Sequence, residues 1–298
     1  MTIVIGLSGG EHLYQKIASE LGINSIKAET RFFPDGELYL RLPVENLNGE
    51  DVLIVQSLYG QPNNRLIEYI FAVNTAKDLG AHRVIGIIPY LSYARQDRRF
   101  KPGEAISLKI VADMIHNSGT DQLIVVDMHL HRVRGSELES IFKIPVSNVT
   151  AMPLFGDLFK DVVKNGIVIG PDDEAIEFAK AAAIKYNGKY TNFSKTRLGD
   201  REVNIVADKT IDFNNKDVLI VDDIISTGGT IITAVKLLKE LNVKDIYVAA
   251  THALLVEGAL DKLKNLHLKD LVSSNTVPSP ITKVDVTPVI VEELKKII

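Results

Sequence analysis

Short runs of almost entirely apolar residues recur along the 298-residue chain, each bounded by polar or turn residues. Stretches with helical spacing lie between them: Leu13, Ile17 and Leu21 fall on one helix face, and Gly22 stands where that helix would end. Apolar strands that alternate with amphipathic helices are typical of a parallel sheet covered on both faces. The predicted strands are 3–7, 52–56, 84–88, 123–126, 167–170, 218–221 and 246–250, and the predicted helices are 65–79, 107–117, 174–186 and 230–241.

The pattern restarts in the second half of the chain. LIVVDMH at 123–129 and VLIVDDI at 218–224 are alike, since each is an apolar strand that ends in acid. We therefore predict an α/β protein of two similar domains, each with a central, mostly parallel sheet flanked by helices. The N-terminal domain is placed at 1–147 and the C-terminal domain at 148–280. Residues 281–298 form a last segment with a short amphipathic helix, which could pack back on either half; we expect it on the N-terminal domain.

Composition narrows the class of protein. The chain has no cysteine, which excludes disulfides, thiolate chemistry and cysteine-bound metals. No apolar run approaches the roughly 18 residues of a membrane span, and MTIVIGLSGG begins as a strand rather than as a charged leader. We expect a cytoplasmic protein with no membrane partner. The net charge of -4 gives no general attraction to nucleic acid.

The stretch VLIVDDIISTGGT at 218–230 combines an acid pair with a loop suited to an anion. Asp222 and Asp223 are predicted at the carboxyl end of a strand, where open parallel sheets bind ligands. The following glycines, hydroxyls and helix N-terminus suit a phosphate monoester. The aspartates would repel that phosphate, so they more plausibly accept hydrogen bonds from adjacent sugar hydroxyls. The alternative is a helix cap and a glycine turn, which explains the whole string poorly. The pattern of an ordinary P-loop is missing.

Two segments of the first half carry further charge. RFFPDGELYLR at 31–41 places an aromatic face and two carboxylates around a Pro–Gly turn, and a plain β-turn is the alternative. YARQDRRFKPGE at 93–104 follows a predicted strand and concentrates arginine and lysine within residues 95–101. The planar guanidinium group of arginine can donate two parallel hydrogen bonds to polyphosphate oxygens. A solvated charged loop or a weak nucleic-acid patch is the alternative.

Three shorter motifs complete the set. VVDMHLH places Asp127, His129 and His131 after a strand, where alternate residues of an extended segment share a face and at least one histidine could reach a metal or phosphate. GPDDEA places Asp172 and Asp173 before a helix, and helix capping is the alternative. SKTRLGD at 194–200 is a polar stretch that we expect to be a mobile loop; taken alone, it would pass as an ordinary surface loop.

Taken together, these motifs resemble those of one family. VLIVDDIISTGGT resembles the phosphoribosyl pyrophosphate motif shared by type I phosphoribosyltransferases and ribose-phosphate pyrophosphokinases. FPDGE, YARQDRR, DMH, GPDD, KTR and DDIISTGGT follow one another in the order found in ribose-phosphate pyrophosphokinases, and the resemblance covers nearly the whole chain. It implies transfer of the β,γ-pyrophosphoryl group of ATP to the 1-hydroxyl of ribose 5-phosphate, with release of AMP.

The resemblance also implies a role for each matching residue, with Mg²⁺ as the cofactor. Phe33 would stack on adenine in a site shared with a neighbouring subunit, so we expect a homo-oligomer of at least two chains. The implied ATP-binding residues are Phe33, Asp35, Glu37, Arg95, Gln96, Asp97, Arg98 and His129. The implied ribose 5-phosphate residues are Asp222, Asp223, Ser226, Thr227, Gly228, Gly229 and Thr230. Lys195 and Arg197 are implied as catalytic, and His129 and Asp172 as metal-associated.

Two departures and two rival functions bear on this reading. Ser226 stands where bacterial members commonly have aspartate, and FKPGEAIS at 100–107 differs from the longer bacterial segment. We therefore do not infer from the resemblance that this chain is activated by phosphate or inhibited by nucleoside diphosphates. We also do not infer that it forms the hexamer of the family. A phosphoribosyltransferase would lack the ATP-binding half that this chain has. A catalytically silent regulatory subunit would have lost active-site residues such as Lys195, Arg197 and His129, which are all present.

Overall fold

The computed structural model describes residues 1–130, 136–197, 203–206 and 210–298, with the backbone alone at 136, 195–197 and 203–206. The described chain divides into two compact units. The first unit comprises Met1–Val149 together with Thr287–Ile298, and the second comprises Thr150–Val286. Within the described ranges, no helix is both long and apolar enough to cross a membrane.

The first unit is built on one six-stranded sheet. Its elements begin β1 (Thr2–Gly6), α1 (Tyr14–Leu21), β2 (Asn24–Lys27), β3 (Glu29–Phe32), β4 (Leu38–Arg41), β5 (Asp51–Val55), α2 (Pro62–Asp78), β6 (Arg83–Ile88), α3 (Ser107–Asn117), β7 (Gln122–Val126), α4 (Ser136–Phe142) and β8 (Val146–Val149). The strand order is β2-β1-β5-β6-β7-β8, and every neighbouring pair is parallel. β3 and β4 form a separate antiparallel hairpin. The predicted first helix is confirmed, and it ends at Gly22 with a φ of 67° that favours glycine.

The second unit repeats this plan. Its elements are α5 (Met152–Leu158), α6 (Lys160–Asn165), β9 (Ile167–Gly170), α7 (Ile176–Ala183), β10 (Lys189–Asn192), β11 (Ser194–Arg197), β12 (Val203–Val206), β13 (Val218–Ile225), α8 (Gly229–Glu240), β14 (Ile246–Ala253), α9 (Ala259–Lys264), β15 (Asp270–Ser274) and β16 (Thr282–Val284). The order is β10-β9-β13-β14-β15-β16, again parallel throughout. β11 and β12 pair as an antiparallel hairpin. The predicted α/β class with two similar, mostly parallel sheets is confirmed.

The predicted boundaries of three elements in the second unit are wrong. β13 does not end at Val221: it runs on to Ile225, because β14 also extends and pairs Ile224 with His252 and Ile225 with Ala253. Asp222 and Asp223 therefore lie within the strand rather than at its tip. The helix predicted over 174–186 is shorter at both ends, where 3-10 turns at Asp173–Ala175 and Ile184–Tyr186 flank α7.

The C-terminal helix α10 (Thr287–Leu294) belongs to the first unit. Leu294 is fully buried, and the Ser147 hydroxyl donates a 2.7 Å hydrogen bond to Glu293. The Arg83 guanidinium donates to the carbonyl of Ile297 at 3.3 Å. The last helix thus packs beside β8, an edge strand of this sheet.

Helix α2 packs so closely on β6 that Gly86 of this strand has no room for a side chain. Tyr69 of α2 is fully buried, and its hydroxyl bonds that of Thr120 at 2.8 Å. A Cβ at Gly86 would lie 2.1 Å from the Tyr69 Oη and 3.2 Å from Leu123 Cδ1. Real Cβ atoms do not approach a neighbour so closely, so the glycine sets how near α2 lies to the sheet.

We expect Gly86→Ala to destabilise the protein by about 1–3 kcal/mol, because a buried methyl group would have to displace Tyr69. The midpoint of urea denaturation measures this loss. In a Tyr69→Phe background the same substitution should cost less, since the obstructing hydroxyl is gone. An equal cost in both backgrounds would show that Tyr69 is not the obstacle.

Candidate active site

The Ser226–Thr230 loop joins β13 to α8 and presents the N-terminus of that helix. Gly228 precedes α8 with a φ of 79°, which favours glycine, and no described side chain caps the helix there. Hydrogen bonds from Leu254 and Val256 N–H groups to the carbonyls of Ile225 and Ser226 hold the start of the loop. Of the alternative reading, the glycine turn is therefore present and a side-chain cap among the described residues is not. The N-terminus of a helix that no side chain caps favours an anion.

Asp222 and Asp223 precede this loop and are poorly exposed. Asp223 is only 5% exposed, Asp222 is half-buried, and the Asp223 N–H donates to Asp222 Oδ1 at 3.0 Å. Burial, together with the negative charges of Asp223 and Asp172, raises the pKa of Asp222 well above its ordinary value. Three carboxylates from two neighbouring strands thus share one region, and a cation or hydroxyl donors would relieve their repulsion.

Asp172 has the capping role that the sequence offered as an alternative, and its metal-associated role stays a prediction. It lies after β9, and its Oδ1 accepts a 3.2 Å hydrogen bond from the Glu174 N–H, as a helix cap does. Its charge also acts on Asp222, the neighbour across the β9–β13 edge. The capping bond holds the turn that begins at Asp173.

Lys195 and Arg197 belong to a strand rather than to the predicted loop. The backbone of β11 pairs with β12, opposing Lys195 to Ile205 and Arg197 to Val203. Their side chains, and residues 198–200, lie outside the described part of the chain. Ser194, which begins β11, donates its hydroxyl to Asp173 at 2.8 Å.

The FPDGE turn in the first unit has its aromatic side exposed. The Phe33 N–H donates to the Glu37 carbonyl at 2.8 Å, and the Gly36 N–H to the Phe33 carbonyl at 2.9 Å. The Asp35 carboxylate accepts from the Glu37 N–H at 3.2 Å, so it holds the turn. Phe33 is 39% exposed, which leaves its ring accessible.

Arg31 supports this aromatic surface from the stem of the hairpin. Its guanidinium carbon lies 4.6 Å from the Phe33 ring centre and 4.3 Å from that of Tyr39. Such stacking orients the rings by cation–π attraction. The predicted β-turn is confirmed, and the turn presents a ring that a planar base could cover.

The arginine segment after β6 is organised by Glu104, a residue that the sequence reading missed. Its Oε2 accepts from the backbone N–H groups of Phe100 and Lys101 at 2.9 and 2.8 Å, and from the Gln96 amide at 3.2 Å. These backbone bonds hold the pKa of Glu104 below its ordinary value. A single acid three positions after Lys101 was the signal available in the sequence.

The arginines themselves divide into two groups. The Arg99 Nε donates to the Glu104 backbone carbonyl at 2.9 Å, so Arg99 belongs to the frame of the segment. Arg98 lies over the Phe100 ring at 4.6 Å and is exposed, as is Arg95; Asp97 is half-buried. Two guanidinium groups therefore remain on the surface for anionic oxygens.

The DMH motif follows β7 with a strained residue. Asp127 is 2% exposed and has a φ of 39°, and its N–H donates to the Val149 carbonyl at 2.8 Å. His129 follows, half-buried, whereas His131 lies outside the described residues. His129 belongs to the first unit and Asp172 to the second, so their joint metal role stays a prediction. Within the described ranges, no three His, Cys, Asp or Glu side chains are grouped to hold a metal ion.

A cavity of roughly 440 Å³ lies beside the β3–β4 hairpin, with Arg31 and Phe32 in its wall. None of the predicted site residues lines it. The Glu68 carboxylate in its wall is 1% exposed and accepts hydrogen bonds from Ser8, Thr30 and Gln56. The carboxylate is satisfied within the fold, so we read this polar wall as structural.

Comparisons with known proteins agree with the motif order. The model of the N-terminal domain of ribose phosphate pyrophosphokinase matches residues 2–119, and that of the phosphoribosyl transferase domain matches residues 138–279. The chain is 36% identical over 296 residues to the ribose-phosphate pyrophosphokinase of Sulfurisphaera tokodaii, covering 98% of this chain and 100% of that protein. The enzyme of Pyrococcus furiosus is also 36% identical, with the same coverage of the two chains.

A solved structure extends the likeness to three dimensions. The phosphoribosylpyrophosphate synthetase of Mycobacterium smegmatis superposes with a TM-score of 0.86 at 27% identity, covering 99% of this chain and 98% of that one. The match therefore includes both units. On these grounds, the chain belongs to the ribose-phosphate pyrophosphokinase family.

Proposed function

We propose that this chain transfers the β,γ-pyrophosphoryl group of ATP to the 1-hydroxyl of ribose 5-phosphate, forming phosphoribosyl pyrophosphate and AMP. Full-length similarity to relatives named ribose-phosphate pyrophosphokinase is the observation that carries the proposal. The chain is accordingly a transferase of nucleotide biosynthesis.

Ribose 5-phosphate is assigned to the second unit. The 5-phosphate would lie on the Ser226–Thr230 loop, against uncapped amides at the start of α8 and three nearby hydroxyls. Asp222 and Asp223 would accept hydrogen bonds from the 2- and 3-hydroxyls. This division keeps the carboxylates away from the phosphate, and hydroxyl donors would stabilise a carboxylate pair that is costly when empty.

ATP is assigned to groups of the first unit. Phe33 offers an exposed ring for adenine, with Asp35 and Glu37 beside it in the same turn. Arg95 and Arg98 are exposed on the segment that Glu104 holds and would contact phosphate oxygens. Gln96, Asp97 and His129 would line the same nucleotide site, as the family resemblance implies.

Magnesium fits the donor groups of this chain. The carboxylates of Asp172, Asp222 and Asp223 offer oxygen, which Mg²⁺ prefers, and Mg²⁺ is commonly held by one or two carboxylates together with substrate phosphates. A dedicated cluster of three protein ligands is therefore not required. When bound, the ion would neutralise phosphate charge; His129 and Asp172 are the residues proposed to lie near it.

Lys195 and Arg197 are proposed to act on the transferred group. Phosphoryl transfer depends on positioning and charge neutralisation more than on covalent catalysis. Both are residues of β11, and the family resemblance implies this role for both. They would stabilise the negative charge that develops as the β,γ-pyrophosphoryl group leaves AMP for the ribose hydroxyl.

The assembly and location remain proposals. Phe32 and Phe33 are 48% and 39% exposed on the hairpin, and a second copy of the chain would cover such a surface. We propose a homo-oligomer of at least two chains, with the FPDGE turn near the neighbouring subunit. A cytoplasmic location, expected from the sequence, stays a prediction.

The reaction itself is tested by phosphorus NMR on purified protein with ATP, ribose 5-phosphate and Mg²⁺. We expect AMP to appear together with a sugar 1-pyrophosphate. Formation of ADP in place of AMP would contradict the proposal and indicate a different kinase. Absence of turnover in a folded sample would favour the regulatory-subunit alternative.

We expect Lys195→Ala to lower kcat by about a hundredfold or more, because one transition-state donor is worth about 3 kcal/mol. ATP affinity, measured by calorimetry, should change little. Lys189→Ala serves as the control, since Lys189 is an exposed lysine of the adjacent strand β10. Unchanged kcat in Lys195→Ala would remove this residue from the chemistry.

We expect Asp222→Asn to stabilise the ligand-free protein while raising KM for ribose 5-phosphate. A raised carboxyl pKa means that the anion is disfavoured in the folded state, so it costs stability once the pH exceeds the ordinary value of 3.8. The gain in urea midpoint should therefore be largest near about pH 8 and shrink toward about pH 4.

Asp212→Asn is the control for this variant, because Asp212 is exposed and uses only its Oδ1 to accept from the Asn214 N–H. A gain that does not depend on pH would mean that charge repulsion is not its cause. An unchanged KM would separate Asp222 from the ribose.

A further inference from the structure

We infer that Asp173 is a positioning residue that fixes the start of β11 and thereby the cations of that strand. The inference rests on the proposed function of Lys195 and Arg197. Asp173 was noted in the sequence only as the second acid of a GPDD motif, and neither its partners nor its role followed from that motif.

One oxygen of Asp173 joins two strands. Its Oδ1 accepts a hydrogen bond from the Asn192 amide at 2.8 Å and another from the Ser194 hydroxyl at 2.8 Å. Asn192 is the last residue of β10, and Ser194 is the first of β11. The carboxylate therefore spans the point at which the chain leaves the parallel sheet and enters the antiparallel hairpin.

Phe193, between these two partners, is anchored independently. Its side chain is fully buried and lies 6.4 Å from the Phe213 ring, and its N–H donates to the Gly170 carbonyl at 3.0 Å. The buried Phe193 side chain thus anchors the junction between β10 and β11 in the core. Asp173 adds the polar contact that sets the direction in which Ser194, and hence the next residue Lys195, leaves this anchor.

The residue before Asp173 lies near the proposed ribose-side acids. Asp172 caps the turn that Asp173 begins, and its negative charge contributes to the raised pKa of Asp222. Residues 172 and 173 therefore lie between the region of the β13 carboxylates and the start of β11.

A merely structural role would predict something different. If the bonds only added stability, removing them would lower the denaturation midpoint and leave kcat of the folded enzyme unchanged. If they position β11, kcat should fall while substrate affinity persists, because a misplacement of about 1 Å can cost about a hundredfold in rate.

The test compares Asp173→Ala with Asp173→Asn in the full-length enzyme. Asparagine keeps an Oδ1 that can accept the same two bonds, whereas alanine removes it. We expect kcat to fall about 10- to 100-fold in Asp173→Ala, with KM for both substrates within about threefold, and to recover largely in Asp173→Asn. Glu177→Ala is the control, since Glu177 is a well-exposed acid of α7.

Two results would overturn the inference. An unchanged kcat in Asp173→Ala would leave the contact without a positioning role. A fall in Asp173→Asn as deep as that in Asp173→Ala would show that charge, not the tether, matters.

A second variant approaches the contact from its other side, without touching the acid. Ser194→Ala removes one donor and should lower kcat in the wild-type background. In the Asp173→Ala background it should add little, because the bond is already gone. If the losses in kcat of the two single variants simply add in the double variant, Asp173 and Ser194 do not act through a shared contact. If Asp173→Ala folds poorly, Ser194→Ala in the wild-type background still tests the contact: an unchanged kcat there would contradict the inference.

Hydrogen exchange keeps this inference separable from the proposed reaction. Asp173→Ala should speed amide exchange in 194–197 and leave 218–225 unchanged. If wild-type protein forms no phosphoribosyl pyrophosphate, the proposed function fails, yet this local change would still be expected. If exchange in 194–197 does not change, the tether itself is refuted, whatever the activity.

Discussion

Parallel pairing between β13 and β14 continues beyond the apolar run, and the placement of the ribose-side groups depends on it. Because both strands extend together, Asp222 and Asp223 are built into the sheet instead of hanging from a loop. Their backbone is held on both sides of the acid pair, up to Ile225. The anion loop then begins from a fixed point, and the distance between carboxylates and loop is set by strand geometry. Burial and the neighbouring negative charges disfavour the ionised form of Asp222 in this position.

The main features of this arrangement were predictable because they follow from local rules. Apolar runs and helical spacing predicted the two parallel sheets, and the DDIISTGGT string predicted a ligand loop between β13 and α8. The end of β13 was not predictable, since strand pairing with residues 252 and 253 overrides the unfavourable intrinsic preference of aspartate. The hairpin that contains Lys195 was missed for a related reason: SKTRLGD has a polar composition that suits a loop equally well.

The contacts made by acids were the least predictable part of the site. The partners of Asp173 lie 19 and 21 residues further along the chain, whereas those of Glu104 lie within eight residues of it. The number of charges in a segment does not distinguish either acid from a solvated residue. Asp172 shows a different difficulty, because its helix cap was predicted as an alternative to a functional role, whereas its electrostatic effect on Asp222 was not predicted. A carboxylate has two oxygens and several lone pairs, so a local backbone bond does not exclude a second role.

Glu104 and Asp173 together suggest how a site for a highly anionic substrate can be held in shape without losing its positive charge. Each acid lies in or beside a cationic segment, yet the described bonds of its carboxylate go to backbone N–H, amide or hydroxyl groups rather than to arginine or lysine. Even Arg99 donates to the backbone carbonyl of Glu104 and not to its carboxylate. If Glu104 were instead bound to Arg95 or Arg98, the proposed ATP phosphates would have to displace an ion pair. Bonding this acid to neutral donors shapes the arginine segment, while the described bonds of Glu104 leave the guanidinium groups of Arg95 and Arg98 to the proposed phosphate contacts.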